Sequence, residues 1–266
     1  MTVRVEKQGA VTTVIHSRPE ARNAMDPASA EALVAAFLAF DADDDAAVAV
    51  FWGEGGAFCA GWDLKYASAL SGDDDPLAAL AFPEYDTPPP RGPMGPSRLE
   101  LSKPVIAAVA GPAVAGGFEL ALWCDLRVME DSAYFGVYCR RWGIPLLDGG
   151  SVRLTRLVGQ GRAMEIILTG RKVPADEALR IGCCEQVVPD GTSREAAEAM
   201  AREIARFPQE CMRADRRSVH QQQGLSLRNA MEFEWHNGVP AFAAEGAAGA
   251  ARFASGKGRH GNFSDL

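Results

Sequence analysis

The chain has 266 residues, 47% apolar and 23% charged, enough for one large α/β domain or a core with a helical appendage. Its net charge of −8, with no basic run longer than Arg140-Arg141 or Arg216-Arg217, argues against nucleic acid or an anionic membrane as main partner. A local basic patch for an anionic small molecule remains compatible with that charge.

The six cysteines form no CxxC pair and no His-containing metal spacing, so reduced thiols in a cytoplasmic protein, with no metal, are the simplest reading. The N-terminus has no apolar h-region, and no window reaches the ~18 apolar residues of a membrane span.

Val3–Val5 and Ala10–Ile15 flank Gln8-Gly9 and predict a hairpin. A polar loop, HSRPEARNAMD, leads to Asp26-Pro27, a helix N-cap followed by proline at the first helical position. That helix runs to about Phe40, and Leu33, Val34, Phe37 and Leu38 are its expected buried face. The acidic run Asp41–Asp45 reads as a solvated loop, and Ala47–Trp52 as a buried strand. Residues 71–98, crowded with Pro, Gly and Asp, read as a long loop or loosely held helix, either a lid over a site or disordered chain.

Lys103–Asp125, KPVIAAVAGPAVAGGFELALWCD, organises the rest. A β-branched run, Val105–Ala110, predicts a buried strand; Gly111-Pro112 breaks it; a small-residue loop follows; Gly116-Gly117 opens the helix FELALWC. Free N–H groups at such a helix start, with Glu119 just beyond, suggest chemistry on a carbonyl compound. Leu126–Met129 is a short strand, and Tyr134–Gly143 an ambiguous apolar segment. Helices are expected from Gly149-Gly150-Ser151, over Gly161–Thr169 and over Ala175–Ile181, then a strand at Cys184–Val188. From Ser193 onward the pattern is helical: to Phe207, Pro208 to about Gln223, Ser226–His236, and Pro240 to about Phe253. The organisation is a core over 1–190 and a helical region over 191–266.

Two glycine loops, AFCAGWDL (57–64) and Gly111–Leu120, each follow an apolar strand. Converging, each can aim one backbone N–H at a common point and hold the oxyanion or enolate of a thioester, a donor being worth ~3–4 kcal/mol in a transition state. None of the four histidines is placed for nucleophilic catalysis, and neither G-x-S-x-G nor G-x-G-x-x-G is present.

At this point the chain resembles the crotonase, or enoyl-CoA hydratase/isomerase, superfamily. The matching stretches are RPEARNAMD (18–26), GAFCAGWDL (56–64), KPVIAAVAGPAVAGGFELALWCDLRV (103–128), GGSVRLTRLVG (149–159) and AMEIILTGRKVPADEALRIGCCEQVVP (163–189). The resemblance implies a spiral of stacked ββα units, a C-terminal helical trimerisation region, a trimer often paired into a hexamer, and an acyl-CoA substrate with no other cofactor. By position it assigns the oxyanion amides to Trp62 and Gly116, the CoA and substrate contacts to Arg22, Ala24, Ala60, Asp63, Leu64 and Gly117, and a phosphate contact to Arg22 or Lys65. Each of those basic side chains, taken alone, is more often a solvated surface charge.

Glu119 falls on one of the family's two catalytic glutamates, although a carboxylate early in a helix is favourable in any case. The second glutamate is replaced by Cys139, either a weak acid or an apolar filler. Asp148, near where some relatives place a working aspartate, either faces the acyl group opposite Glu119 or caps the helix at Gly149. Trp62 stands where the family has a small residue and either narrows the acyl pocket or packs beneath the lid. The expected activity is hydration of a 2-enoyl-CoA through an oxyanion-stabilised enolate. The alternatives are isomerisation, decarboxylation or hydrolysis of a CoA thioester, or a non-catalytic acyl-CoA-binding protein.

Overall fold

The computed structural model describes residues 2–69, 75–84, 87–258 and 260. The lid or loose helix expected over 71–98 therefore lies partly outside the described residues.

A six-stranded sheet carries the fold. Strands β1 (Val3–Gln8) and β2 (Val11–His16) form the expected antiparallel hairpin, turning at Gly9. Beyond them β3 (Val48–Gly53), β4 (Val105–Val109), β6 (Leu126–Glu130) and β9 (Gln186–Val188) add in parallel, in the order β1-β2-β3-β4-β6-β9. The central strands read as unbroken apolar runs because both faces are covered. Ala49, Phe51, Ala107, Val109 and Met129 join one core, whereas Val48, Val50, Ile106, Ala108 and Val128 join a second with Ala197 and Ala201 of α7 (Ser193–Ile204). The period-2 alternation of side chains sorts them.

A second sheet comes from three short strands: β5 (Pro112–Val114), β7 (Tyr134–Gly136) and β8 (Lys172–Pro174). The chain passes from β4 to β5 and then into α3 (Gly116–Trp123), and from β6 to β7 before α4 (Gly150–Val158). The small-residue loop expected after Gly111 is thus partly strand, since Pro112–Val114 pair in register with Tyr134–Gly136. The ambiguous segment after Tyr134 resolves into β7 and a 3-10 turn, Tyr138–Trp142. On α3, Phe118 stacks on Phe135 of β7 at 4.4 Å between ring centroids, a contact worth ~1 kcal/mol beyond its buried area.

Helix α1 (Pro27–Ala42) starts where Asp26 accepts the Ser29 N–H at 2.8 Å. Leu33, Phe37 and Phe40 share its buried face, but Leu38 is 49% exposed, being a third of a turn past Phe37. The acidic run is not simply solvated. Asp41 ends inside the helix and accepts Ser102 N–H at 2.9 Å, and buried Lys103 donates to the carbonyls of Phe40 and Asp43, satisfying the helix C-terminus.

Helix α2 is a short turn (Leu64–Ser68). Helices α5 (Gln160–Thr169) and α6 (Ala175–Arg180) follow α4 as expected. Helix α8 spans Gln209–Gln221 and is held to the core by Arg216 and His220, both on Asp125 Oδ1. The predicted break at Pro240 does not occur: α9 (Leu227–Ala241) passes through a π turn, Phe242–Gly246, into α10 (Ala247–Ala254). Pro240 lies inside α9, with the π turn beginning two residues beyond it. No helix among the described residues is long and apolar enough to cross a membrane.

Candidate active site

The two glycine loops do converge. Segment 59–63 lies between two partners. Met25 donates to the Gly61 carbonyl and accepts from Asp63 N, and on the other side Val114 N donates to Cys59 O. Backbone alternation then sends the Trp62 N–H away from Met25. A Cβ on Gly61 would stand 3.2 Å from Gly116 N, so the two loops touch where the two amides are. Neither the Trp62 N–H nor the Gly116 N–H has a hydrogen-bond partner among the described residues.

Two backbone features hold that approach. Gly61 has φ +93°, in the region that favours glycine, and a Cβ on Gly117 would overlap the Cys59 carbonyl. Ala115, the residue before α3, has φ +53° without being glycine. Its N–H donates to Gly136 O at 2.8 Å, and its carbonyl accepts from Phe118 and Glu119. Such strain costs of order 1–3 kcal/mol and persists where its surroundings over-determine it.

These amides open on a cavity of about 630 Å³ that is also lined by Ala24, Ala60, Asp63, Leu64 and Lys65. Glu119, Cys139 and Asp148 line it as well, so α3, the turn after β7 and the loop before α4 meet there. Two candidates lie elsewhere. Gly117 packs against Cys59 rather than facing the cavity, because glycine is what lets the loops close. Arg22 does not line the cavity; its φ of 50° and its carbonyl, which accepts from Ala60 N, make it part of the turn itself. Arg18 lines it instead, bonded to Ala24 O at 2.5 Å and to Asp63 Oδ2 at 3.0 Å. Arg18 precedes the 3-10 turn Pro19–Ala21 and lay in the matching stretch without being singled out.

Glu119 is 3% exposed, and its Oε1 accepts two N–H groups, from Asp148 at 2.9 Å and from Gly150 at 2.8 Å. Those donors sit at the start of α4, where the helix dipole favours an anion. Burial and the Asp148 charge outweigh them and raise Glu119 to a pKa of about 7. Two donors on Oε1 make Oε2 the favoured oxygen for a proton.

Asp148 is not a helix cap. Gly149 occupies that place without a side-chain bond, and Asp148 Oδ1 instead accepts the Met94 N–H at 3.0 Å and the Ser97 hydroxyl. Burial raises its pKa above the ordinary carboxylate value, against those two bonds. Cys139 is buried, and burial together with the Glu119 charge raises its thiol pKa, so it stays a neutral thiol at neutral pH. Trp62 lines the cavity while packing against the core, so it narrows the site. Met94, Tyr138, Trp142 and Leu147 complete an apolar wall that no motif marked; each lies in a turn or loop with no periodicity.

The family model described as enoyl-CoA hydratase/isomerase matches residues 6–256. Enoyl-CoA hydratase EchA19 of Mycobacterium tuberculosis is 34% identical over 250 residues, covering 91% of this chain and 89% of its own. A probable enoyl-CoA hydratase of Rhizobium meliloti is 37% identical, over 88% of this chain and 86% of its own. Among solved structures, enoyl-CoA hydratase EchA1 of Mycobacterium marinum superposes with a TM-score of 0.85 at 30% identity, covering 96% of each chain.

Proposed function

The chain belongs to the enoyl-CoA hydratase/isomerase family, and from that premise we propose that it adds water across the double bond of a 2-enoyl-CoA. The observation that carries this reading is two buried carboxylates, Glu119 and Asp148, facing one cavity beside the unpartnered amides of Trp62 and Gly116. The thioester oxygen lies between those amides, which take up the negative charge of the enolate. Asp148 is assigned as the base and Glu119, raised to about 7 by burial and by the Asp148 charge, as the acid. Asp148 takes a proton from water as the hydroxyl adds to Cβ, and Glu119 Oε2 gives its proton to Cα. Transfer of a proton from Asp148 back to Glu119 resets the pair. Asp148 thereby supplies from the loop before α4 the second carboxylate that Cys139 does not.

The CoA portion is part of the substrate, and no further cofactor enters this scheme. It runs along Ala24, Ala60 and Leu64, with Arg18 and Lys65 as the cations near the mouth. The chain assembles as a trimer, or as paired trimers, with the strands wound as a spiral of ββα turns. Support for a trimer comes from Leu227, Met231, Trp235, Val239 and Phe242, spaced along one helical face and 44–78% exposed. Six free cysteines fit a cytoplasmic setting.

The test is incubation with a series of 2-enoyl-CoA esters, following loss of the conjugated thioester absorbance and the mass of the product. Gain of one water supports the reading. A product of unchanged mass with the double bond moved would favour isomerisation, the reading that the thiol at 139 keeps open, since one base suffices for it.

A further inference from the structure

Residues 91–98 fall in the stretch read as a lid or as disordered chain, yet they reach inward, with Met94 and Ser97 each 1% exposed. They turn on reciprocal backbone bonds between Gly92 and Gly95, at 3.0 and 2.9 Å. The turn presents the Met94 N–H and the Ser97 hydroxyl to one atom, Asp148 Oδ1. Gly92 passes so close that a Cβ there would overlap both Ser97 Oγ and Asp148 Oδ1. Arg153 of α4 braces the pair from behind, donating to Asp148 O and to Ser97 O, each at 2.7 Å. No described residue donates to Asp148 Oδ2, and Asp148 lines the cavity.

We propose that Ser97 is the positioning residue of Asp148: its hydroxyl occupies Oδ1 and leaves Oδ2 as the oxygen that meets the substrate's water. The inference rests on the reading of Asp148 as base. A buried carboxylate with both oxygens free can rotate, and each orientation costs solvation; two donors fixed on one oxygen remove that freedom. They also favour the ionised form against burial. The charged and titratable groups facing Asp148 are Glu119, Arg98, Arg153 and the Cys59 thiol, none of which a change at Ser97 removes. Ser97 itself does not line the cavity, so it acts through Asp148.

The experiment compares Ser97→Ala, Ser97→Thr, Asp148→Ala and the Ser97→Ala/Asp148→Ala double variant of the full chain, measuring kcat and KM against pH on a turned-over enoyl-CoA. For Ser97→Ala, kcat falls roughly 10- to 100-fold, as for loss of a hydrogen bond to a charged group, while KM holds. The acid limb of its profile moves to higher pH, because the ionised carboxylate has lost a donor. Ser97→Thr, which keeps the hydroxyl, restores the original limb. In the Asp148→Ala background Ser97→Ala brings no further loss. An unmoved acid limb in Ser97→Ala, a Thr variant with the Ala profile, or losses that multiply in the double variant would each overturn the role of Ser97, with Asp148 as base intact. Full activity of Asp148→Ala would overturn the base reading and this inference with it.

Discussion

Glu119 Oε1 accepts the backbone N–H of Asp148 at 2.9 Å, so the two carboxylates of the cavity are joined through main chain and not through a shared proton. Both residues line the same cavity. Burial and the Asp148 charge raise Glu119 to about 7, and burial raises Asp148 above the ordinary carboxylate value. The dependence of kcat/KM on pH is then bell-shaped: activity falls as Asp148 is protonated on the acid side and as Glu119 is deprotonated near pH 7. In Glu119→Gln the acid is lost, turnover drops ~10²- to 10⁴-fold, and the alkaline limb disappears. A Gln variant with the parent's rate and profile would remove Glu119 from the chemistry.

The oxyanion amide at 116 is separable from its side chain. A Cβ there overlaps the Met94 thioether, a flexible group, so Gly116→Ala measures the cost of the added carbon alone. Gly116→Pro carries the same carbon at a helix start that tolerates proline, and it lacks the N–H. Turnover by the proline variant should lie ~10²- to 10³-fold below that of the alanine variant. Equal rates in two folded proteins would count against the Gly116 donor.

Gly117 has a packing task, and its replacement is a stability prediction. In Gly117→Ala the methyl overlaps the Cys59 carbonyl, which is backbone and cannot swing aside. Urea denaturation should show a loss of ~1–3 kcal/mol or more. Unchanged stability would mean that the two glycine loops do not close as tightly as Cys59 and Gly117 indicate.

At position 139 the chemistry is quiet. A neutral buried thiol contributes volume, so Cys139→Ala is expected to keep turnover within a few-fold. Cys139→Glu would place a carboxylate near Glu119, raise the Glu119 pKa further and move the alkaline limb up by about a unit. Stopped assays across pH on both variants read this directly.

His16 predicts how stability depends on pH. It is fully buried, neither ring nitrogen has a partner among the described residues, and burial lowers its pKa to about 4. Between that value and the ordinary 6.5, the unfolded chain binds a proton that the folded chain refuses. Stability is therefore complete above pH 6.5 and declines as pH falls toward 4, by about 2 kcal/mol at pH 5. His16→Leu should flatten that part of a plot of unfolding free energy against pH. A slope that survives the substitution would assign it to other groups.

What the sequence determined by itself is the frame. Continuous apolar runs at Val48–Phe51 and Val105–Val109 have to be strands covered on both faces, Asp26-Pro27 has to start a helix, and Gly116-Gly117 has to leave free amides at one. These are local matters of period, capping and conformational freedom, readable over a few residues. The same reading placed Glu119, Trp62 and Gly116 together, since a motif in register fixes its own neighbours. Only the tertiary structure decided what Asp148 does. As a residue before two glycines it has the signature of a cap, and nothing local says that its side chain turns to Met94 and Ser97, 51 or more positions earlier. The strands β5 and β8, at three residues each, were likewise invisible until they paired. Pro240 likewise stayed inside a helix that continues through a π turn beside it. Side-chain partners across such distances are chosen by packing of the whole, where desolvation makes each buried polar oxygen find a donor from whichever element the fold brings near.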